Sequence, residues 1–151
     1  MQVNNRERAH QIVVLCGGDS PERDVSMRSG ENVVRALVQM GICHTVLDPK
    51  NPSWQSDLLA INPCYVFIIL HGALGENGAV QGFLDTQGFA YSSSGVLGSA
   101  LAMDKGRAKH IWRSYDLPTL PFFKVEDMSV QTQERIQRAF SAPYCLKIVD
   151  G

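Results

Sequence analysis

The chain has 151 residues, 44% of them hydrophobic and 19% charged, with a formal net charge of -1. That length allows one sizeable core and part of a second, and the composition is that of a globular protein rather than a disordered or fibrous one. A near-neutral balance supplies no basic face for nucleic acid, and the longest apolar run, Cys64 to Leu70, is far short of the about 20 residues that cross a bilayer, so neither partner is expected.

The first ten residues, MQVNNRERAH, are polar and lack the apolar stretch of a signal peptide. The cysteines, at 16, 43, 64 and 145, show neither C-x-x-C nor close metal-ligand spacing. All four are read as small buried thiols in a reducing compartment, which makes the expected location cytoplasmic. Cys16 sits beside two glycines, where a nucleophile is conceivable. No base is identifiable next to it, so packing is the plainer reading.

The predicted elements alternate along the chain. Gln11–Cys16 is a near-continuous apolar run, as a strand buried on both faces requires. Gly17 and Gly18 break it, and Asp24 or Ser26 can cap a helix that runs to about Met40, before Gly41. Cys43–Leu47 reads as a second strand ended by Asp48-Pro49, and Ser53–Ile61 as a short helix. Tyr65–Leu70 is a third strand, rich in β-branched and aromatic residues. The glycine-rich loop HGALGENG follows, then a helix from about Ala79 to Thr86, a brief strand at Phe89–Ser92 and a further helical stretch. This is βαβαβ alternation, which predicts an α/β fold with a parallel, Rossmann-like sheet and helices on both faces. Ligands in such sheets sit beyond the carboxyl ends of the strands, where both glycine-rich loops fall.

The character changes at about Asp104. DKGRAKHIWRSYD reads as an amphipathic helix. Phe122–Val125 and Tyr144–Val149 read as strands around a helix at about Val130–Phe140. The expected domains are therefore 1–103 and the incomplete start of a second at 104–151. Phe122, Phe123 and Phe140 are expected to be left exposed, favouring association.

Four constellations carry the candidate chemistry. In Gly17-Gly18-Asp19-Ser20-Pro21-Glu22-Arg23-Asp24-Val25-Ser26, Glu22 could hold a substrate ammonium; alternatively it is an acid favoured by a helix start. In His71-Gly72-Ala73-Leu74-Gly75-Glu76-Asn77-Gly78, followed by Gln81-Gly82, His71 could hydrogen-bond a carboxylate or phosphate oxygen, with Glu76 orienting it; both could equally be ordinary loop residues. Tyr91-Ser92-Ser93-Ser94-Gly95-Val96 is a donor-rich loop or a simple turn and cap. Lys105, after Met103-Asp104, is either a phosphate-binding point charge or a solvated lysine. Lys147 interrupts an apolar run, where a buried charge would need a partner.

In this order the segments resemble the D-alanine–D-alanine ligase family of the ATP-grasp superfamily. The first loop fits G-G-x-S-x-E-x-x-V-S, and the second fits H-G-x-x-G-E-[DN]-G with Gln81-Gly82 in place. The third is similar to Y-T-G-S-G-V, with Ser93 where the family has glycine, and Met103-Asp104-Lys105 matches the next marker. The resemblance runs from about Ile12 to Lys147. It implies a pre-ATP-grasp N-terminal domain followed by the truncated start of the ATP-grasp central domain.

It also implies a chemistry. ATP, with Mg2+ bridging its phosphates, phosphorylates one D-alanine to an acyl phosphate; the amine of a second D-alanine attacks, and the dipeptide serves peptidoglycan synthesis. Glu22 would hold the first D-alanine's ammonium, Val25 and Ser26 would shape that subsite, and His71 would lie near its carboxyl group. Lys105 and Lys147 would contact ATP phosphates. Lys147 is followed by Ile148 where the family shows V-K-P. The magnesium ligands, the adenine pocket and the second subsite would lie beyond residue 151, and D-lactate is not separable from D-alanine as second substrate. A homodimer is expected. Taken as complete, the chain is expected to show no ligase turnover. The alternative is a non-catalytic truncated homologue that binds a D-amino acid or dimerises; a generic nucleotide-binding domain would leave Glu22, His71 and Lys105 unexplained.

Overall fold

The computed structural model describes residues 11–141 and 143–149. The polar segment 1–10, with the expectation that it is no signal peptide, lies outside the described residues. The chain divides into two compact units, 1–101 and 102–151.

The first unit is an α/β layer structure. Strands β1 (Ile12–Leu15), β2 (His44–Leu47) and β3 (Tyr65–Ile68) form a parallel sheet in the order β2-β1-β3. Val13 pairs with Thr45 on one side and Val66 on the other. The helices are α1 (Arg23–Gln39), α2 (Trp54–Ile61), α3 (Ala73–Glu76), α4 (Ala79–Gln87) and α5 (Val96–Met103), which runs to the junction with the second unit. Strand periodicity decides what faces what. Val13 and Leu15 project into a core with Val66, with Trp54 and Leu58 of α2, and with Val80 and Leu84 of α4. Cys16 points the other way, toward α1, where Gly30 has no side chain. A Cβ on Gly30 would stand 2.7 Å from the Cys16 sulfur. The sheet is thus covered on both faces, and β1 at its centre is buried as its apolar run requires.

Several expectations are corrected. Asp24 and Ser26 do not cap α1; both lie inside it, because the helix starts at Arg23 after Glu22. The HGALGENG segment is not all loop: Ala73–Glu76 makes one helical turn. The brief strand at Phe89–Ser92 shrinks to a bridge between Val66 and Tyr91. Of the four thiols only Cys16 is buried, while Cys43, Cys64 and Cys145 are exposed at strand and chain margins. Burial raises the Cys16 thiol pKa, aided by the negative charge of Asp48, which favours the packing reading over a nucleophile.

In the second unit, α6 (Lys105–Ser114) is capped by Asp104, whose side chain accepts from the Arg107 N–H, and α7 (Val130–Ala139) by Ser129. The expected strands at Phe122–Val125 and Tyr144–Val149 are absent among the described residues. A strand needs a neighbour to receive its ladder of hydrogen bonds; the segment at 144–149 receives the Lys105 N–H at the Val149 carbonyl but pairs with no strand among the described residues. Lys147 is accordingly exposed rather than a buried charge. Phe122, Phe123 and Phe140 are half-buried, contrary to expectation. Lys109 and Arg113 lie over the Phe122 ring, Arg135 lies over Phe123, and Phe123 stacks on Phe140 at 5.2 Å. The most exposed apolar side chains described here are instead Leu120 and Ile148, at 78% and 77%. No described helix is long and apolar enough to cross a membrane.

Candidate functional site

Gly17 and Gly18 leave β1 with φ of +96° and +77°, a left-handed pair that only glycine adopts at low cost. The turn sends the chain across the carboxyl edge of the sheet and into α1. Ser26, one turn into that helix and fully buried, fixes the geometry. Its hydroxyl accepts from the Gly17 N–H at 2.8 Å and donates to the Ile69 carbonyl at 2.6 Å. One side chain therefore ties the exit of β1 to the exit of β3.

A second tie joins the two glycine-rich loops. The Ser20 hydroxyl donates to the His71 carbonyl at 2.8 Å and accepts from the Glu22 N–H at 3.2 Å. Gly72, at φ +79°, lets them approach: a Cβ there would stand 2.9 Å from Ser20 Cβ and 3.4 Å from Glu22 Oε2. The Glu22 carboxylate is thus delivered against the His71-Gly72 backbone. It is exposed, and it makes no capping hydrogen bond to α1.

His71 presents an unsatisfied atom. Its Nε2 is buried with no hydrogen-bond partner, and its Nδ1 lies 3.8 Å from Glu76 Oε1, beyond hydrogen-bond distance. The other Glu76 oxygen accepts from the Gly72 N–H at 3.0 Å, closing the loop on itself. A buried polar atom without a partner costs free energy unless something supplies one. Gln81, also fully buried, supports the loop from below by donating to the Gly75 carbonyl at 2.7 Å.

Two residues missed by the sequence reading complete the arrangement. Asp48 follows β2, so it too lies at the carboxyl edge. Its Oδ1 accepts from the Gly18 and Lys50 N–H groups, both at 2.9 Å, and its Oδ2 pairs with Arg23 Nη2 at 2.6 Å. Arg23 Nη1 also donates to the Gly18 carbonyl at 2.8 Å. Burial works to raise the Asp48 carboxyl pKa. The Arg23 bond, the two backbone N–H donors and the Arg23 charge outweigh it and hold the group at about 2. The available signal was position: a carboxylate at the end of a parallel strand, beside a glycine turn.

Ser93 has φ +89°, in the left-handed region. It stands where the family pattern places glycine. Its hydroxyl gains two long bonds, each 3.4 Å, accepting from Gln81 Nε2 and donating to the Ser94 carbonyl. Ser93→Gly is expected to stabilise the protein by about 0.5–1 kcal/mol, because the relieved strain of about 1–2 kcal/mol exceeds the added flexibility of the unfolded chain. A fall in the thermal midpoint would show that the two hydroxyl bonds outweigh the strain.

Lys105 and Lys147 belong to the second unit. The Lys105 N–H donates to the Val149 carbonyl at 3.0 Å, so the two lysine-bearing segments run side by side there. Among the described residues no group of three His, Cys, Asp or Glu side chains converges to hold a metal ion.

No protein-family model matches the chain. Among curated proteins it is 50% identical over 117 residues to a D-alanine–D-alanine ligase of Pseudoalteromonas translucida, covering 77% of this chain and 38% of that protein. It is 42% identical over 143 residues to the one of Gloeobacter violaceus, covering 93% and 47%. The chain thus spans less than half the length of these relatives. Among solved structures, a Bacillus anthracis D-alanine–D-alanine ligase complexed with ATP superposes with a TM-score of 0.68 at 30% identity, over 84% of this chain and 44% of that one. A Vibrio cholerae D-alanyl-alanine synthetase A, at 21% identity and a TM-score of 0.72, shows the shared fold. In sequence and fold alike, the chain is a relative of the D-alanine–D-alanine ligases and corresponds to their N-terminal portion.

Proposed function

We propose that this chain carries the first D-alanine subsite, and the opening of the ATP site, of a ligase that joins two D-alanines through an acyl phosphate for peptidoglycan synthesis. The observation that carries the reading is the delivery of an uncommitted Glu22 carboxylate to the backbone of Gly72, beside the unpartnered Nε2 of His71. In this reading Glu22 binds the substrate ammonium. His71 supplies a hydrogen bond to the substrate carboxyl group, which satisfies its own buried nitrogen. Val25, 44% exposed, borders the subsite, and Ser26 shapes it from within by fixing the glycine turn. Lys105 and Lys147 hold the ATP phosphates as point charges. The carboxylate of the bound D-alanine takes the terminal phosphoryl group, and a second D-alanine's amine displaces phosphate. The chain's own contribution is positioning and charge. Magnesium, held by residues outside this chain, belongs to the same proposal, as do a homodimer and a cytoplasmic location.

The test is a titration of D-alanine into the wild-type chain and into Glu22→Gln, followed by amide shifts. The amide side chain keeps the size and loses the charge, so affinity is expected to fall at least about tenfold, the loss typical of one charge-assisted hydrogen bond. Binding that ignores Glu22→Gln, or that accepts L-alanine equally, would sink the proposal.

A further inference from the structure

We propose that Asp48 is a positioning residue for the substrate ammonium site, acting through Gly18 to set where the Glu22 carboxylate stands; this rests on the reading of Glu22 given above. The two oxygens of Asp48 divide the work. Oδ1 receives the Gly18 N–H and the Lys50 N–H, and so pins the glycine turn to the end of β2. Oδ2 takes the shorter contact with the Arg23 guanidinium, and Nη1 of the same group reaches Oδ1 at 3.1 Å and the Gly18 carbonyl. Gly18 is therefore held at both its N–H and its carbonyl by one ion pair. From that fixed point only Asp19, Ser20 and Pro21 separate it from Glu22.

The approach needs glycine at 17, since a Cβ there would stand 2.6 Å from Asp48 Oδ1. Ser26 and Ser20 tie the same loop to β3. Asp48 is what ties it to β2, so all three strands of the sheet contribute to placing one carboxylate. A loop fixed in advance spares the ligand the cost of ordering it, and that saving appears as affinity.

Position and charge can be separated by a pair of conservative variants. Asp48→Asn keeps an oxygen at the Oδ1 position and removes the charge. Asp48→Glu keeps the charge and moves the oxygen by one carbon. Three properties of the 151-residue chain are measured for each: exchange of the Gly18 amide proton, D-alanine affinity and thermal midpoint. For a positioning role, Asp48→Asn holds Gly18 protection and binds within about twofold of wild type despite a lower midpoint, whereas Asp48→Glu loses Gly18 protection and binds about five- to tenfold more weakly. The reverse order, or affinity that simply follows the midpoint in both variants, would overturn the proposal in favour of a stabilising ion pair alone. If wild type binds no D-alanine, the reading of Glu22 fails by itself. Gly18 protection in the two variants still decides whether Asp48 sets the turn.

Discussion

Gly75→Ala is expected to destabilise the protein by about 2–3 kcal/mol, the range of an overpacked core site. Alanine is ordinarily the better helix residue by up to about 1 kcal/mol, and Gly75 lies in the helical turn α3. Packing reverses the sign. The added methyl group would collide with Leu70 Cβ and stand 2.7 Å from the Leu70 carbonyl oxygen. Leu70 is itself 5% exposed and part of the core, so it has nowhere to retreat. Gly82→Ala provides the contrast. Its Cβ would meet only Val96 Cγ2, at 3.6 Å, an ordinary contact. Gly82→Ala in α4 is therefore expected to be neutral or stabilising by up to about 1 kcal/mol. Urea unfolding should show a lowered midpoint for Gly75→Ala and an unchanged or raised one for Gly82→Ala. Equal shifts would mean that α3 moves away from Leu70 freely, and that the loop bearing His71 is softer than its bonds imply.

Ser26→Ala is expected to cost at least as much, about 2–4 kcal/mol. Two backbone groups lose their partner at once: the buried Gly17 N–H, which donates to Ser26, and the part-buried Ile69 carbonyl, which accepts from it. Each orphaned group costs about 1–3 kcal/mol, and the vacated hydroxyl leaves too little room for a water with several partners. The variant is checked by unfolding and by exchange of the Gly17 amide, which should speed up more than amides in α4. A loss below about 1 kcal/mol would place it with ordinary side-chain bonds to backbone groups that find replacement partners, and would remove Ser26 from the devices that hold the turn.

Much of the first unit was legible in the sequence because its signals are local. The apolar runs of β1 and β3, the glycine turn after β1 and the helix after it each depend on neighbours in the chain. What was not legible depends on partners far away. Ser26 looked like a helix cap because serine caps helices. The buried Gly17 N–H draws its hydroxyl instead, and that group comes within reach only once β1 and α1 have packed. Asp48 read as a strand stop; its meaning appears when β2 lies beside β1 and brings its end 2.9 Å from Gly18 N. The turn at Ala73–Glu76 escaped notice because its glycine-rich surroundings argue for loop. In the second unit, the apolar run at 144–149 predicted a strand. A strand is a property of a pair, and the described residues provide the Lys105 N–H at Val149 rather than a second strand. At the candidate site, Glu22 and His71 were legible by their motifs, whereas the ties through Ser20 and Asp48 that bring the loops together were not.

The sheet also has two margins, and they are finished differently. Beside β3, the Val66 N–H donates to the Ala90 carbonyl and the Ser92 N–H to the Val66 carbonyl, so the returning chain seals that flank. Beside β2, the described residues offer only β1 as a neighbour, and Val46 is 45% exposed. This open flank is four residues long and is followed at once by Asp48-Pro49, where the proline ring has no amide to offer an incoming chain. The segment is too short and too abruptly ended to template the stacking of foreign strands. Among the described residues, one side of the sheet can thus stay unclosed without inviting fibrous self-assembly.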